Sequence, residues 1–399
     1  METAPSKRGA IYSRMGRPPS PEVLPTFGTD IRHVILDMRE QHPGWGAKTI
    51  HTELSLDPRY QQVKLPSIRS IGTLLKSAGL VRSYEKHVPI PNTERCVAQR
   101  AHQSWQLDAQ GNFLLAGVGP IAMLNIKDVY SKVYCMAYPN QKKSVHGYST
   151  RLDYQCALRL AFMEYGLPQC IQTDHESIFH ENKGKSPFPT LFHLWLAGLG
   201  IAKTFSRIKQ PTDQALVERM HQTIEQQVAS KKQYSNWEEF FHMCQNRRKF
   251  LNRDFACSSL GDKSPLDAYP EARHSGRYYH PTHEEKLLRL DRIYDLLSAG
   301  KWYRKASKTR SVTLGGEVYY VSRARPNSEV CITFDSRTRM LNFHDHKEVC
   351  FQQLPIKGIC KKRIMGDVFW KLVNVQLELP FFWDTQKLDT TFLHNVDMT

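Results

Sequence analysis

"IAMLNIKDVYSKVYCMAY", residues 121–138, is a pair of apolar runs folded about Asp128-Val129-Tyr130-Ser131, and it reads as a hairpin of two strands. Upstream, "SWQLDAQGNF" (104–113) is a further strand leaving a turn. Downstream, "DYQCALRLAFMEYG" (153–166) is an amphipathic helix closed by Gly166, with Pro168 just beyond. Then come a buried strand "QCIQT" (169–173), a helix "LFHLWLAGLG" (191–200), a strand "IAKTF" (201–205) and a long helix "QALVERMHQTIEQQVASKK" (214–232), capped by Thr212 or Asp213. Three strands followed by alternating helix and strand predict a layer of sheet between helices, the mixed α/β arrangement of an RNase H-like core, over residues 102–270.

The flanks have other textures, so the 399-residue chain reads as a multidomain α/β protein. Residues 1–28 mix four cations with five prolines and read as a disordered basic arm. Residues 29–81 hold three short helical patterns. In the third, "IRSIGTLLKSAGL" (68–80), Ile68, Ile71 and Leu75 point inward and Arg69, Thr73 and Lys76 outward. That is the pattern of an all-α helix-turn-helix DNA-binding domain. Residues 82–101 read as a linker and 271–305 as a helical connector. Residues 306–352 switch to short β runs about Gly315-Gly316 and Asp335-Ser336, predicting a small β-barrel-like module. Arg304, Lys305, Lys308 and Arg310 form its basic approach, suited to a phosphate backbone, with a stabilising cap as the plainer reading. The tail, 353–399, has no period.

Lysine and arginine number 55 against 39 acids, a formal +16. Such a surplus favours a polyanion, above all nucleic acid. Nine cysteines without a CxxC pair fit a reducing, cytoplasmic setting better than a disulfide framework. The apolar stretch 191–199 is too short to span a bilayer and carries His193, so no membrane partner is expected.

Three acids occupy related places in the mixed domain. Asp108 ends the first strand, Asp174 follows "QCIQT", and Glu218 lies in the second turn of the long helix. Asp174, in "TDHESIF" (173–179), suits an Asx-turn or a metal-binding carboxylate at the C-terminal mouth of a sheet. Glu218 flanks the stripe of Leu216, Val217, Met220, Ile224 and Val228, where it is a cleft residue or an ordinary solvated glutamate. Converging carboxylates repel unless a cation joins them, and hard oxygens select Mg²⁺ or Mn²⁺. Two such ions roughly 4 Å apart serve in-line phosphoryl transfer.

With these residues, the chain resembles a bacterial insertion-sequence transposase of the retroviral-integrase superfamily, whose core is Asp-Asp-Glu. The matching motifs are "WQLD" ending in Asp108, the hairpin, "YGLPQCIQTD" ending in Asp174, and "PTDQALVERMHQT" holding Glu218. "HPGWGAKTIHTEL" (42–54) resembles the family's helix-turn-helix, and "FLNRDFACSSLGDKSPLDAYP" (250–270) its later segment without the Pro-His pair. Asp174-His175-Glu176 replaces the usual Asp-x-Gly, Gln214-Ala215 the usual Asn-Gly, and "HENKGKSPFP" (180–189) looks like an insertion.

The resemblance implies catalytic, metal-holding roles for Asp108, Asp174 and Glu218, with Asp108 bridging two Mg²⁺ or Mn²⁺ ions. It implies cleavage at the ends of a DNA element, joining of the freed 3′-hydroxyl to target DNA, a homo-oligomeric paired-end complex on double-stranded DNA, and a bacterial, nucleoid-associated location. The alternatives are a nuclease that stops at hydrolysis and an inactive, domesticated DNA-binding protein. His221 reads as a DNA or metal contact, or as a packed or solvated histidine.

Overall fold

The computed structural model describes residues 27, 29–81, 98–144, 147–174, 176–179, 181, 186–206, 215–230, 233–345 and 347–371. The expected basic arm apart from Phe27, most of the linker, and the tail beyond 371 lie outside the described residues. The chain divides into two compact units, Met1–Pro91 with Glu225–Lys232, and Asn92–Ile224 with Gln233–Thr399.

In the first unit, helices α1 (Thr29–Gln41), α2 (Ala47–Leu56) and α3 (Ile68–Ser77) enclose Ile35, Trp45, Ile50, Leu54, Ile71, Leu74 and Leu75. The Ser67 hydroxyl caps α3 by accepting the Ser70 amide at 3.2 Å. Arg39 ties the ends together, its guanidinium donating to the carbonyls of Trp45 and Leu80 at 2.8 Å each. Ile68, expected inward, is 42% exposed; Leu74 takes its place, because the buried stripe is Ile71, Leu74 and Leu75 at i, i+3, i+4. Gly44 is explained by close approach: a Cβ there would lie 2.2 Å from the Gln226 carbonyl oxygen.

The second unit is mixed α/β, built on a five-stranded sheet. Strands β1 (Ser104–Leu115), β2 (Gly119–Asp128) and β3 (Tyr134–Gln141) form an antiparallel meander. Helix α4 (Arg151–Tyr165), β4 (Cys170–Thr173), α5 (Leu191–Gly198) and β5 (Ala202–Phe205) follow, giving the order β3-β2-β1-β4-β5 with β4 and β5 parallel to β1. Three strands followed by alternating helix and strand are the succession read from the sequence as an RNase H-like layer. The hairpin turn is fixed by Asp128, whose carboxylate accepts the Ser131 amide at 2.8 Å and hydroxyl at 2.6 Å.

The open edge of β3 is covered by α7 (Trp237–Arg253), which follows α6 (Ala215–Ile224). Trp237 donates to the Pro139 carbonyl at 2.6 Å, Gln245 to Ala137 at 2.8 Å and Asn252 to Tyr134 at 3.0 Å, so side chains replace a sixth strand. The sequence predicts one α-helix over 214–232; the structure has α6 and then a π-helical segment, Glu225–Ala229. The wider turn resets the register, and the boundary between the two units falls there.

Past a one-turn helix, Glu284–Leu287, come α8 (Leu290–Ser298), β6 (Lys301–Lys305), β7 (Ser311–Leu314), β8 (Glu317–Tyr320), β9 (Glu329–Asp335), β10 (Met340–His344), β11 (Cys350–Pro355) and α9 (Lys361–Met365). These strands make an open sheet, β11-β10-β9-β6, and a separate ribbon, β7-β8, rather than a closed ring among the described residues. Arg304 and Lys305 belong to the edge strand β6 instead of an approach to the module. One continuous apolar core runs from Trp105, Phe162 and Trp195 of the first sheet and its helices to Trp302, Leu314, Ile332 and Phe343. Glu284, fully buried, knots the junction by accepting two 2.7 Å bonds from Arg159, one of 2.8 Å from Trp195 and one from the Tyr279 hydroxyl. The described cysteines are free thiols, and no described helix is long and apolar enough to cross a membrane.

Candidate active site

Strand alternation gives β1 and β2 two unlike faces. Leu107 pairs with Ile126 in the apolar core, whereas Asp108 pairs with Asn125 and Gln106 with Lys127 on the face toward α6. Lys127 is buried there with its ammonium 4.1 Å from the centre of the Tyr134 ring, and burial pushes its pKa down to about 8. A polar row on a covered sheet face is costly unless its members find partners.

Asp108 finds one in α6. Nε2 of the buried His221 lies 3.1 Å from its Oδ2, and Nδ1 lies 2.7 Å from Nδ2 of the fully buried Asn125. With Asn125 donating, Nδ1 accepts and the Nε2 proton points at Asp108. His221 is therefore packed rather than solvated, and its ring meets Asp108.

Strands β1 and β4 run parallel with Trp105 opposite Ile171 and Gln106 opposite Gln172. Two residues beyond that last pair come Asp108, still within β1, and Asp174, just past the end of β4. Asp174 leaves the strand in an Asx-turn, its Oδ1 accepting the Glu176 amide at 3.0 Å. The plain reading of that aspartate is correct as geometry, and the turn sets a further acid beside it. Glu176 accepts the Tyr154 hydroxyl at 2.9 Å. Its pKa is raised, first by desolvation and then by the negative charge of Asp174, with Asp108 adding to it against the Tyr154 bond. Glu218 lies on α6, three residues past Ala215, the first described residue of that helix. Its carboxyl is also pushed up, by desolvation and then by Asp108, with His221 opposing.

Asp108 is thus electrostatically coupled to Glu218 and Glu176, and Asp174 to Glu176. The donor set is all hard oxygen, and the negative charges of Asp108 and Asp174 help to raise the pKa of Glu176, as that of Asp108 does for Glu218, which is chemistry suited to a divalent cation. Among the described residues, however, no three His, Cys, Asp or Glu side chains stand close enough to hold one ion as they are placed. Binding Mg²⁺ or Mn²⁺ would have to draw these carboxylates together.

The expected DNA-contacting residues differ among themselves. Arg69, Thr73 and Lys76 are exposed along α3, where the Thr73 hydroxyl donates to the Arg69 carbonyl at 3.0 Å. Lys305, Lys308 and Arg310 are exposed too, Arg310 donating to the Ser322 carbonyl at 2.9 Å. Arg304 departs from the expectation. Its side chain is 13% exposed and bound to Glu181 at 2.7 Å and to the Ser186 carbonyl at 2.7 Å, because it lies on the edge of β6 that another segment covers.

Sequence reading missed Asn125, Tyr154 and Glu176 as parts of this site. Asn125 was reachable by counting back from the Asp128 turn to the partner of Asp108. Glu176 registered only as a departure from Asp-x-Gly. Tyr154 carried no signal, since nothing along the chain says which face of α4 meets the turn.

No family model matches the chain. Among solved structures, the HTLV-2 integrase catalytic core domain in complex with magnesium is similar at 14% identity, covering 43% of this chain and 99% of that one, with a TM-score of 0.33. The catalytic core domain of BIV integrase aligns at 16% identity over 43% of this chain and 96% of its own, with a TM-score of 0.31. A simian T-cell lymphotropic virus intasome in complex with a PP2A regulatory subunit, B56 gamma, aligns at 13% identity over 79% of this chain and 100% of that one, with a TM-score of 0.36. At such scores the chain's own residues have to carry its function.

Proposed function

We propose that this chain is an Asp-Asp-Glu polynucleotidyl transferase, a transposase or integrase that cleaves the ends of a DNA element and joins the freed 3′-hydroxyl to target DNA. The observation that carries the reading is the contact of His221 with Asp108, which joins the helix of Glu218 to the strand of the first acid. Asp108 and Asp174 each follow by two residues the last pair of β1 and β4, Gln106 opposite Gln172.

Asp108, Asp174 and Glu218 would hold Mg²⁺ or Mn²⁺, which when bound supplies Lewis-acid activation of the attacking oxygen and stabilisation of the leaving one. His221 orients Asp108 through its Nε2 proton, and Asn125 fixes that tautomer. Glu176, on the Asx-turn of Asp174, adds a fourth carboxylate, and Tyr154 anchors it through a hydrogen bond. The basic surplus suits double-stranded DNA, with Arg69, Thr73 and Lys76 of α3 reading the element's ends in a major groove and Lys305, Lys308 and Arg310 meeting the phosphate backbone. A homo-oligomer would pair two ends.

The turn Asp174-His175-Glu176, in place of the Asp-x-Gly of the family it resembles, favours a second reading, a DNA-binding protein that no longer cuts. Incubation with duplex DNA carrying the sequences that flank the gene, in Mg²⁺, separates the two. The proposal requires 3′-end cleavage and joined products that Asp108→Asn abolishes with DNA binding retained. Binding without either product supports the second reading.

A further inference from the structure

We propose that Arg304 and Glu181 form a brace through which the C-terminal sheet positions the turn bearing Asp174 and Glu176; this rests on the catalytic reading of that turn. By its sign alone Arg304 would face phosphate. Instead its guanidinium ties β6 to the chain that leaves β4, at Glu181 (2.7 Å) and at the Ser186 carbonyl (2.7 Å). The same edge of β6 donates its Tyr303 amide to the Ser186 hydroxyl at 2.6 Å. Glu181 also accepts the Phe188 amide at 2.6 Å, and Phe188 packs against Trp302 with ring centres 4.8 Å apart. A Cβ on Gly315 would lie 2.8 Å from the Phe188 ring, so the ribbon of β7 and β8 closes over it.

The attachment continues back to the acids in short steps. Glu176 accepts the Phe179 amide through its carbonyl at 2.9 Å, and the buried Phe179 ring lies 4.8 Å from Tyr154, whose hydroxyl holds the Glu176 carboxylate. Lys203 of β5 donates to the Phe179 carbonyl. From Asp174 to Phe188 the described chain is therefore fastened at one end to α4 and β5 and at the other to β6. Glu181 and Ser186, two residues of the apparent insertion between the second acid and the glutamate, are what meet β6. Arg304 is on this account a positioning residue, acting on the acids through Glu181.

The test uses the full chain, with Arg304→Lys, Arg304→Ala, Glu181→Gln and the exchanged pair Arg304→Glu with Glu181→Arg. Hydrogen exchange of the amides from 174 to 181 is followed, with DNA affinity against salt and strand transfer. Arg304→Ala and Glu181→Gln should each accelerate exchange by about tenfold, as expected for losing one charge-assisted bond. Each should slow strand transfer by a similar factor, leave the salt dependence of binding unchanged, and be partly rescued by the exchanged pair. Arg304→Lys should fall between wild type and Arg304→Ala in exchange. Unchanged exchange in a folded Arg304→Ala protein, or a flattened salt slope with Glu181→Gln inert, overturns the brace. If wild type transfers no strand while exchange responds as stated, the brace stands and the catalytic reading fails.

Discussion

The acids beside β1 and the cations around β6 both read from the sequence as binding groups, and the structure sets them differently: Asp108 lies inside β1, rather than at its end, against His221, whereas Arg304 turns from solvent to Glu181. Topology locates the acids: a residue's place in a strand order fixes where it lands on a sheet. Sign alone locates the four cations, and it does not say which way a side chain faces. Arg304 and Lys305 are adjacent in one strand, so alternation sends them to opposite sides, one into the brace and one to solvent.

The largest expected effects test the acids. Asp108→Asn, Asp174→Asn and Glu218→Gln should each lower strand transfer by about a thousandfold or more, roughly 4 kcal/mol of barrier, with duplex binding nearly unchanged. A retained rate in Glu218→Gln would contradict a catalytic role for that residue. His221→Leu removes the donor that holds Asp108 and should weaken Mn²⁺ binding by about 10- to 100-fold, read directly by calorimetry. His221→Gln, which keeps a side-chain donor, should recover part of that loss.

Smaller effects separate one set of cations from another. Arg69→Ala should cost about 1–3 kcal/mol of discrimination between element ends and random duplex, measured by competition. Neutralising Lys305, Lys308 and Arg310 should weaken binding to all sequences alike and flatten the plot of log affinity against log salt by about 0.9 for each phosphate no longer neutralised. An unaltered slope with a lower melting temperature would make this sheet a cap alone, as its shared core with the first sheet would allow.

The smallest effect is a pH dependence. Glu176 and Glu218 have raised pKa values in the fold, so the folded chain binds their protons more tightly than the unfolded one. Their contribution to stability is greatest below the ordinary glutamate range and declines as pH rises from there through the raised values. Glu218→Gln should therefore raise the melting temperature at pH 7 in chelator by up to about 2 °C, with the gain gone near pH 4. A gain that persists at pH 4 would mean that the charge of Glu218 is not its source.

Much of the core was legible because its signals are local. The hairpin about Asp128, the Gly166 stop of α4 and the apolar "QCIQT" each follow from a few residues, and so does the succession of elements, though the order of the strands in the sheet does not. What was not legible depends on interactions between distant segments. Nothing near Ala229 announces a π-helical turn. The "LFHLWLAGLG" helix gives no sign that Trp195 will donate to Glu284. The tail after 353 lacks a period because α9 is only five residues long and is held instead by Arg151 and Arg159, which donate to the Ile364 and Met365 carbonyls at 2.8 Å.

The most direct measurement of the central claim is end processing by the full chain and by Glu218→Gln, matched for DNA affinity, on a duplex bearing the gene's flanking ends in Mg²⁺. The account predicts 3′-end cleavage followed by joined product for the wild type, and neither above background for Glu218→Gln at equal occupancy of the DNA. Cleavage by Glu218→Gln within a few-fold of wild type, or none by either at full occupancy, would contradict it.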